Sequence, residues 1–135
     1  MEKQPNFRIG STQVGEGCPV FIVAEMSGNH GGSIQKAKDL IHAAKAVGAN
    51  AIKLQTYRPD TITMDSDNPD FQIPSSNPWA QSKSLYSLYE KAFTPWEWHP
   101  ELFSLARSIG LEVFSSPFDS TAVDFLESLS VPCYK

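Results

Sequence analysis

Short apolar runs alternate with amphipathic stretches along most of the chain. Runs rich in β-branched or aromatic residues predict four strands, at Val20–Glu25, Ala51–Thr56, Leu111–Ser116 and Val131–Lys135. Apolar residues at helical spacing predict helices at Ile34–Val47, Ser84–Lys91, Trp96–Ile109 and Thr121–Ser130. Strands that alternate with helices favour a parallel sheet with right-handed crossovers.

Local signals mark the ends of these helices. Ser33 is the predicted N-cap of the first helix, and Gly48 follows its last turn. The run 94–97, Thr-Pro-Trp-Glu, predicts a capping box with proline at the first helical position. Asp119 or Ser120 is the predicted cap of the last helix.

Two segments lie outside the alternation. Phe7–Ile9 and Thr12–Val14 flank a Gly-Ser pair, which predicts a small hairpin ahead of the first strand. Tyr57–Lys91 is a long excursion with scattered prolines, and loops of that length are usually functional or mobile. Its aromatic residues and those just after it suggest either a sugar-stacking platform or packing against the body, and packing is favoured; they are Trp79, Tyr86, Tyr89, Trp96 and Trp98.

Composition narrows the class of protein. The 135 residues carry a formal charge of −4 and are 41% hydrophobic, which indicates one globular domain. There is no Lys/Arg cluster for nucleic acid, no apolar run of the roughly 20 residues that cross a bilayer, and no secretory h-region, so we expect a cytoplasmic protein. Cys18 and Cys133 are expected to be free thiols.

Functional groups stand at the predicted carboxyl end of each strand. In a parallel sheet these ends share one edge, where ligands bind. Alternation places Lys53 and Gln55 on the face opposite Ile52 and Leu54. A lysine inside the sheet needs an acid or a bound anion as partner, and Glu25 could serve, either as a purely structural pair or in a site. The predicted strand-tip set is Glu25, Lys53, Gln55, Ser115, Ser116 and Lys135.

The loop Ser27–Ser33 is glycine-rich and leads into a helix, a weak signal for an anion site. His30 within it is a candidate ligand or base, although a hydrogen-bonding loop role is favoured. The three histidines are too scattered for metal-ligand spacing, and the acidic residues at 65–70 do not continue into a calcium motif, so no metal ligand is assigned.

Four segments together resemble the sialic acid synthase family, and most closely its pseudaminic acid branch. They are AEMSGNHGGS at 24–33, AIKLQTYRPDTIT at 51–63, SLYSLYEKAFTPWEWH at 84–99 and FSSPFDSTAVDFLESLSVPCYK at 114–135. The resemblance implies an α/β fold, the N-terminal half of a (β/α)8 TIM barrel preceded by a small β-hairpin. Residues 1–19 would form the hairpin segment and 20–135 a partial barrel that is truncated at the fourth strand.

The same resemblance implies a transferase of nonulosonic acid biosynthesis that condenses phosphoenolpyruvate with an amino-sugar aldehyde. By position, phosphoenolpyruvate is bound by Lys53, Ser116 and Lys135, the sugar by Gln55, Asn29 and His30, and Glu25 is the catalytic candidate, orienting the sugar or handling a proton. A divalent cation, Mn²⁺ or Mg²⁺, would polarise the aldehyde, with its histidine ligands beyond residue 135.

We expect the 135-residue chain to be inactive alone and to pair with another copy, in keeping with the family's homodimers. Alternatives within the class are an N-acetylneuraminate or legionaminate synthase, or another phosphoenolpyruvate-condensing barrel enzyme. An alternative of another class is a non-catalytic, self-associating fragment.

Overall fold

A computed structural model describes residues 6–135. Strands and helices follow one another much as the sequence predicts, with short 3₁₀ turns in the excursion. The strands are β1 Phe7–Ile9, β2 Thr12–Val14, β3 Val23–Glu25, β4 Ala51–Thr56 and β5 Glu112–Pro117. The helices are α1 Ile34–Ala46, α2 Pro59–Ile62, α3 Leu85–Ala92, α4 His99–Ser108 and α5 Ser120–Ser128.

The main sheet is parallel, in the order β3-β4-β5. Two of the predicted strands are shorter than expected. The first begins only at Val23, since Val20 and Ile22 are 82% and 56% exposed and lie outside the ladder. The fourth, expected at Val131–Lys135, is a single parallel bridge between Tyr134 and Ser115.

The predicted hairpin is present as the antiparallel pair β1-β2. It contacts the start of β5, where the Glu112 carboxylate accepts hydrogen bonds from the backbone N–H and hydroxyl of Ser11 (2.9 and 3.1 Å). The hairpin segment predicted at 1–19 includes residues 1–5, which lie outside the described residues, so this boundary stays a prediction.

The apolar core lies between one face of the sheet and the helices. Ile52 and Leu54 of β4 and Val113 of β5 face it, and none of the three is more than 1% exposed. Burying an aliphatic side chain of this size contributes about 1.5–3 kcal/mol. The helices cover this face with residues that include Ile41, Leu102, Phe103, Ala106 and Leu126.

The helix caps of α1 and α5 are confirmed, and the predicted capping box before α4 is wrong. The Ser33 hydroxyl accepts from Lys36 N–H, and the Asp119 carboxylate accepts from the Thr121 and Ala122 N–H groups. Thr94 is not a cap because its hydroxyl bonds the ring of His30 instead (3.1 Å). A 3₁₀ turn at Trp96–Trp98 precedes α4.

The aromatic residues around the second crossover mostly pack, as favoured from the sequence. Trp96 stacks on Phe125 at 4.8 Å between ring centroids, and Trp98 meets His30 edge-on at 5.5 Å. Trp79 differs, because 57% of it is exposed. Within residues 6–135, no helix has the length and apolar character of a membrane span, and both cysteines are free thiols.

Candidate active site at the strand tips

Lys53 of strand β4 lies on the face of the sheet opposite the helices. The register of β4 pairs Glu25 with Lys53, and Lys53 with Phe114, so these side chains share one layer of that face. Lys53 is only 5% exposed, and its Nζ lies 2.6 Å from Glu25 Oε1. The Glu25 side chain is 51% exposed, so the ion pair stands at the boundary between the sheet and solvent. The structure thus brings together the acid and the lysine that alternation predicted.

One layer further along, Gln55 pairs in register with Ser116. The Ser116 hydroxyl is buried and has no hydrogen-bond partner among residues 6–135. A buried polar atom without a partner lowers the free energy of unfolding by about 1–3 kcal/mol. A ligand oxygen that forms a hydrogen bond with the Ser116 hydroxyl would remove this penalty.

Lys135 reaches the same edge beside β5. Its backbone N–H donates to the Ser115 carbonyl at 3.3 Å, next to Ser116. Lys135 is exposed. Lys53 on β4 and the Ser116 hydroxyl on β5 therefore lie on adjacent strands, and Lys135 follows the segment that bridges to β5.

Ser115 belongs to a different arrangement, on the opposite face of β5. His99 Nδ1 donates to the Pro95 carbonyl (3.2 Å), which can only accept, so Nε2 accepts from the Thr56 hydroxyl (3.0 Å). Thr56 Oγ1 in turn accepts from the Ser115 hydroxyl at 2.6 Å. Burial lowers the pKa of His99 to about 4. Sequence analysis missed this Ser115–Thr56–His99 network because its partners lie 43 and 59 residues apart along the chain.

His30 is likewise used inside the protein. Its Nδ1 accepts from Gly32 N–H at 3.1 Å, so Nε2 carries the proton and donates to the Thr94 hydroxyl. The ring has no exposed surface, and burial, reinforced by the charge of Lys36, lowers its pKa. The structure therefore does not bring His30 to the strand-tip surface, and it supports the hydrogen-bonding loop role.

A cleft of about 380 Å³ opens beside the strand tips. Asn29 and Gln55 line it, as do Tyr57 and residues of the excursion and α3. Burial, and to a smaller degree Tyr89, raises the pKa of Tyr57 to about 12, so its phenol stays protonated at neutral pH. The cleft therefore contains two of the three residues predicted to contact the sugar.

The residues described do not form a metal centre. No group of three His, Cys, Asp or Glu side chains within residues 6–135 comes together to hold an ion.

Comparison with known proteins gives one family. A family model described as the NeuB family matches residues 40–135. Pseudaminic acid synthase of Helicobacter pylori is 50% identical over 117 residues, which are 87% of this chain and 34% of that protein. N,N′-diacetyllegionaminic acid synthase of Legionella pneumophila is 37% identical, over 87% of this chain and 32% of that protein. The chain thus spans about a third of the length of the curated relatives it matches.

A solved structure agrees with this. N-acetylneuraminic acid (sialic acid) synthetase from Leptospira borgpetersenii, in complex with citrate, superposes with a TM-score of 0.75 at 25% identity. The match covers 94% of this chain and 39% of that one. The similarity confirms the predicted fold class, an α/β chain that corresponds to the N-terminal part of a (β/α)8 barrel.

Proposed function

Because this chain belongs to the NeuB family, we propose that it carries part of the active site of a synthase that condenses phosphoenolpyruvate with an amino-sugar aldehyde. The product is a nonulosonic acid. The pseudaminic type is favoured, because identity to the pseudaminic acid synthase of H. pylori is 50%, against 37% to the Legionella legionaminic enzyme.

One observation carries the proposal: a buried lysine and a buried hydroxyl without a partner lie on neighbouring strands at the same edge. Lys53 is 5% and Ser116 8% exposed, and Gln55, which follows Lys53 on the same face, pairs in register with Ser116. Desolvated groups of this kind are strong partners for an anion, because water does not compete for them.

Phosphoenolpyruvate offers two anionic groups to this edge. We assign Lys53 and Lys135 to its carboxylate and phosphate, and the Ser116 hydroxyl to one of their oxygens. Ammonium groups suit this role because they are point charges that need no fixed bidentate geometry. Lys53 Nζ donates to Glu25 Oε1 at 2.6 Å, so the acid neighbours the lysine at this edge.

The chemistry balances with water as the third reactant. C3 of phosphoenolpyruvate forms the new bond to the aldehyde carbon. Water adds its hydroxyl at C2 and supplies the proton that the aldehyde oxygen takes. The bond between C2 and the phosphate oxygen then breaks, which leaves a ketone and inorganic phosphate. Glu25, half exposed at the rim, is the group we assign to orienting the sugar hydroxyls or holding the proton in this sequence.

On the sugar side, we assign Gln55 and Asn29 to contacts with the substrate, because both line the cleft. His30 has no exposed surface, so we assign it to holding the loop that positions Asn29. A divalent cation, Mn²⁺ or Mg²⁺, remains part of the proposal through the family alone.

The test is a comparison of two lysine variants in the full-length gene product. Lys53→Met removes the buried ammonium, while Lys36→Met removes an exposed lysine of α1 that is not among the residues assigned to either substrate. We expect phosphoenolpyruvate binding by calorimetry to weaken at least about a hundredfold in Lys53→Met, since a hydrogen bond to a charged group contributes about 1.5–3 kcal/mol and the charge itself adds to this. Lys36→Met should bind like wild type.

Turnover supplies the second measurement. Wild-type protein should release phosphate from phosphoenolpyruvate only when an N-acetylated aldose is present, and Lys53→Met should not. Phosphate release that survives in Lys53→Met would refute the assignment of this lysine. Wild-type protein that self-associates but neither binds nor consumes phosphoenolpyruvate would favour the non-catalytic alternative.

A further inference from the structure

The excursion between β4 and α4 forms one wall of the cleft, and the function proposed above leaves that wall unused. We propose that Trp79 and Gln81 are specificity-determining residues that bind an N-acyl substituent of the sugar. This inference rests on the proposed function and adds the group of the substrate that the excursion recognises.

Trp79 is an exposed tryptophan held in a fixed position. Its backbone N–H donates to Asn77 Oδ1 at 2.9 Å, and its backbone carbonyl accepts from Ser82 N–H at 2.9 Å, so the turn around it is closed on both sides. Lys83, at the end of that turn, has a φ of 62°, which is a costly conformation for a residue with a side chain. A large apolar surface that stays 57% exposed on such a turn, beside a cleft, is typical of a binding wall.

The two walls of the cleft are joined directly. A Cβ atom on Gly28, in the loop after β3, would lie 2.9 Å from the Ala92 carbonyl at the end of α3. The loop backbone therefore contacts α3 so closely that only glycine fits. The excursion and the strand tips are parts of one cleft, and Gln55 places that cleft next to Ser116.

The chemistry of the lining selects a neutral, amide-bearing group. Aromatic side chains come from Tyr57, Trp79 and Tyr89, and the primary amides of Asn29, Gln55 and Gln81 supply both donors and acceptors. Lys91 is the one charged residue among the described residues that line it. An acetamido group matches this set, because its methyl packs on an aromatic face while its N–H and C=O pair with side-chain amides. A phosphate or carboxylate would find a single cation here.

The geometry also separates the two substrates. The anionic one is assigned to Lys53, Ser116 and Lys135, none of which lines the cleft, whereas Gln55 both lines the cleft and pairs with Ser116. A six-carbon sugar with its aldehyde at Gln55 would therefore extend its substituents towards the excursion.

The experiment measures sugar selectivity in the full-length gene product. The probes are an N-acetylated aldose that the wild type turns over and its analogue with one acetamido group replaced by hydroxyl. We expect Trp79→Ala to raise KM for the acetamido sugar about tenfold, to lower its preference over the analogue by a similar factor, and to leave KM for phosphoenolpyruvate within about twofold. Trp79→Phe should restore most of the preference.

Controls keep the outcome clear. Met64→Ala removes another exposed apolar side chain of the excursion, 64% exposed and outside the cleft lining, and should leave selectivity unchanged. Gln81→Ala alters an exposed residue and serves as the second variant should Trp79→Ala not fold; a loss of selectivity there supports the inference.

Three results would overturn the inference. Selectivity that is unchanged in Trp79→Ala and Gln81→Ala, with a wild type that turns over, overturns it and leaves the proposed function standing. An equal rise of KM for both substrates, with an unchanged preference, makes the role of Trp79 merely structural. A wild type that turns over neither probe with phosphoenolpyruvate overturns the inference together with the proposed function.

Discussion

Two adjacent serines of β5 have opposite environments. Ser115 points to the helices and donates to the Thr56 hydroxyl at 2.6 Å, while Ser116 points to the other face and finds no partner among residues 6–135. The first is a satisfied part of the core. The second carries a cost that a bound anion would remove, which is typical of a site that trades stability for binding.

This contrast predicts opposite effects for two alanine substitutions. Ser115→Ala should lower the free energy of unfolding by about 1 kcal/mol, because a buried hydrogen bond is lost. Ser116→Ala should leave stability unchanged or slightly higher, yet weaken phosphoenolpyruvate binding about tenfold or more, and Ser116→Thr should retain binding. Urea denaturation and calorimetry measure the two quantities. A destabilised Ser116→Ala with normal binding would contradict the assignment.

Sequence reasoning located the residues whose position follows from strand alternation. Lys53 could be placed opposite Ile52 and Leu54 by period two alone, and the shared edge of parallel strands then brought Glu25 beside it. The partners of His30 and His99 could not be found this way. Each histidine bonds a threonine 43 or 64 residues away, and no local pattern encodes such a distance.

At the scale of elements, the network of His99, Thr56 and Ser115 joins the start of α4 to the ends of β4 and β5. Its members have no exposed surface, and two strand-tip residues of the site stand next to them in the sequence. Gln55 adjoins Thr56, and Ser116 adjoins Ser115. A fully satisfied polar network in a dry core rigidifies the elements that it joins, so it fixes the spacing of the two tips.

The same network predicts acid sensitivity. The pKa of His99 is about 4 when folded and 6.5 in the reference state, so the unfolded chain binds more protons between these values. Stability from this group is therefore full above about pH 6.5 and is lost as the pH falls towards 4, by up to about 3 kcal/mol. Urea denaturation at pH 7, 5.5 and 4.5 measures this loss.

The variants His99→Gln and His42→Gln test whether His99 causes this pH dependence of stability. Glutamine at 99 cannot gain the imidazolium charge, so the pH dependence of stability should flatten although stability at pH 7 falls. His42 is exposed on α1, and its variant should follow the wild-type curve. His30 acts in the same direction, because its pKa is also lowered, and it remains in both variants. Parallel curves for wild type and His99→Gln would contradict the role of His99.

The ends of helices and strands could be predicted from the sequence where they depend on neighbouring residues. They could not be predicted where a residue distant in the sequence determines them. Ser33 and Asp119 cap their helices as predicted, because a cap depends on a few neighbouring residues. Thr94 had the same local signal, yet a tertiary partner, His30, took its hydroxyl. The strand predicted from Val20 begins at Val23, because a β-strand needs a paired neighbour and Val20 has none among the described residues.

For the whole molecule, the open side of β3 is the feature with the widest consequence. Val20, Ile22 and Val23 are 82%, 56% and 37% exposed, and within residues 6–135 β3 pairs only with β4. An apolar strand edge with unpaired N–H and C=O groups is a template for pairing with another chain. The match of 117 residues covers only 34% of the pseudaminic acid synthase of H. pylori, and within residues 6–135 no second strand covers the open side of β3.

We therefore predict that the 135-residue chain self-associates through this edge. Light scattering at increasing concentration should give masses above the 14.9 kDa of one chain, and Ile22→Lys should shift the mass towards that value, because a charge on an exposed edge opposes strand pairing. Val47→Lys is the matched control, since Val47 is as exposed as Val20 at 82% but caps the end of α1 and belongs to no strand. A mass of one chain at every concentration would contradict the prediction and show that the edge of β3 stays unpaired in solution. An equal effect of both lysine substitutions would show that association depends on general surface charge and not on this strand.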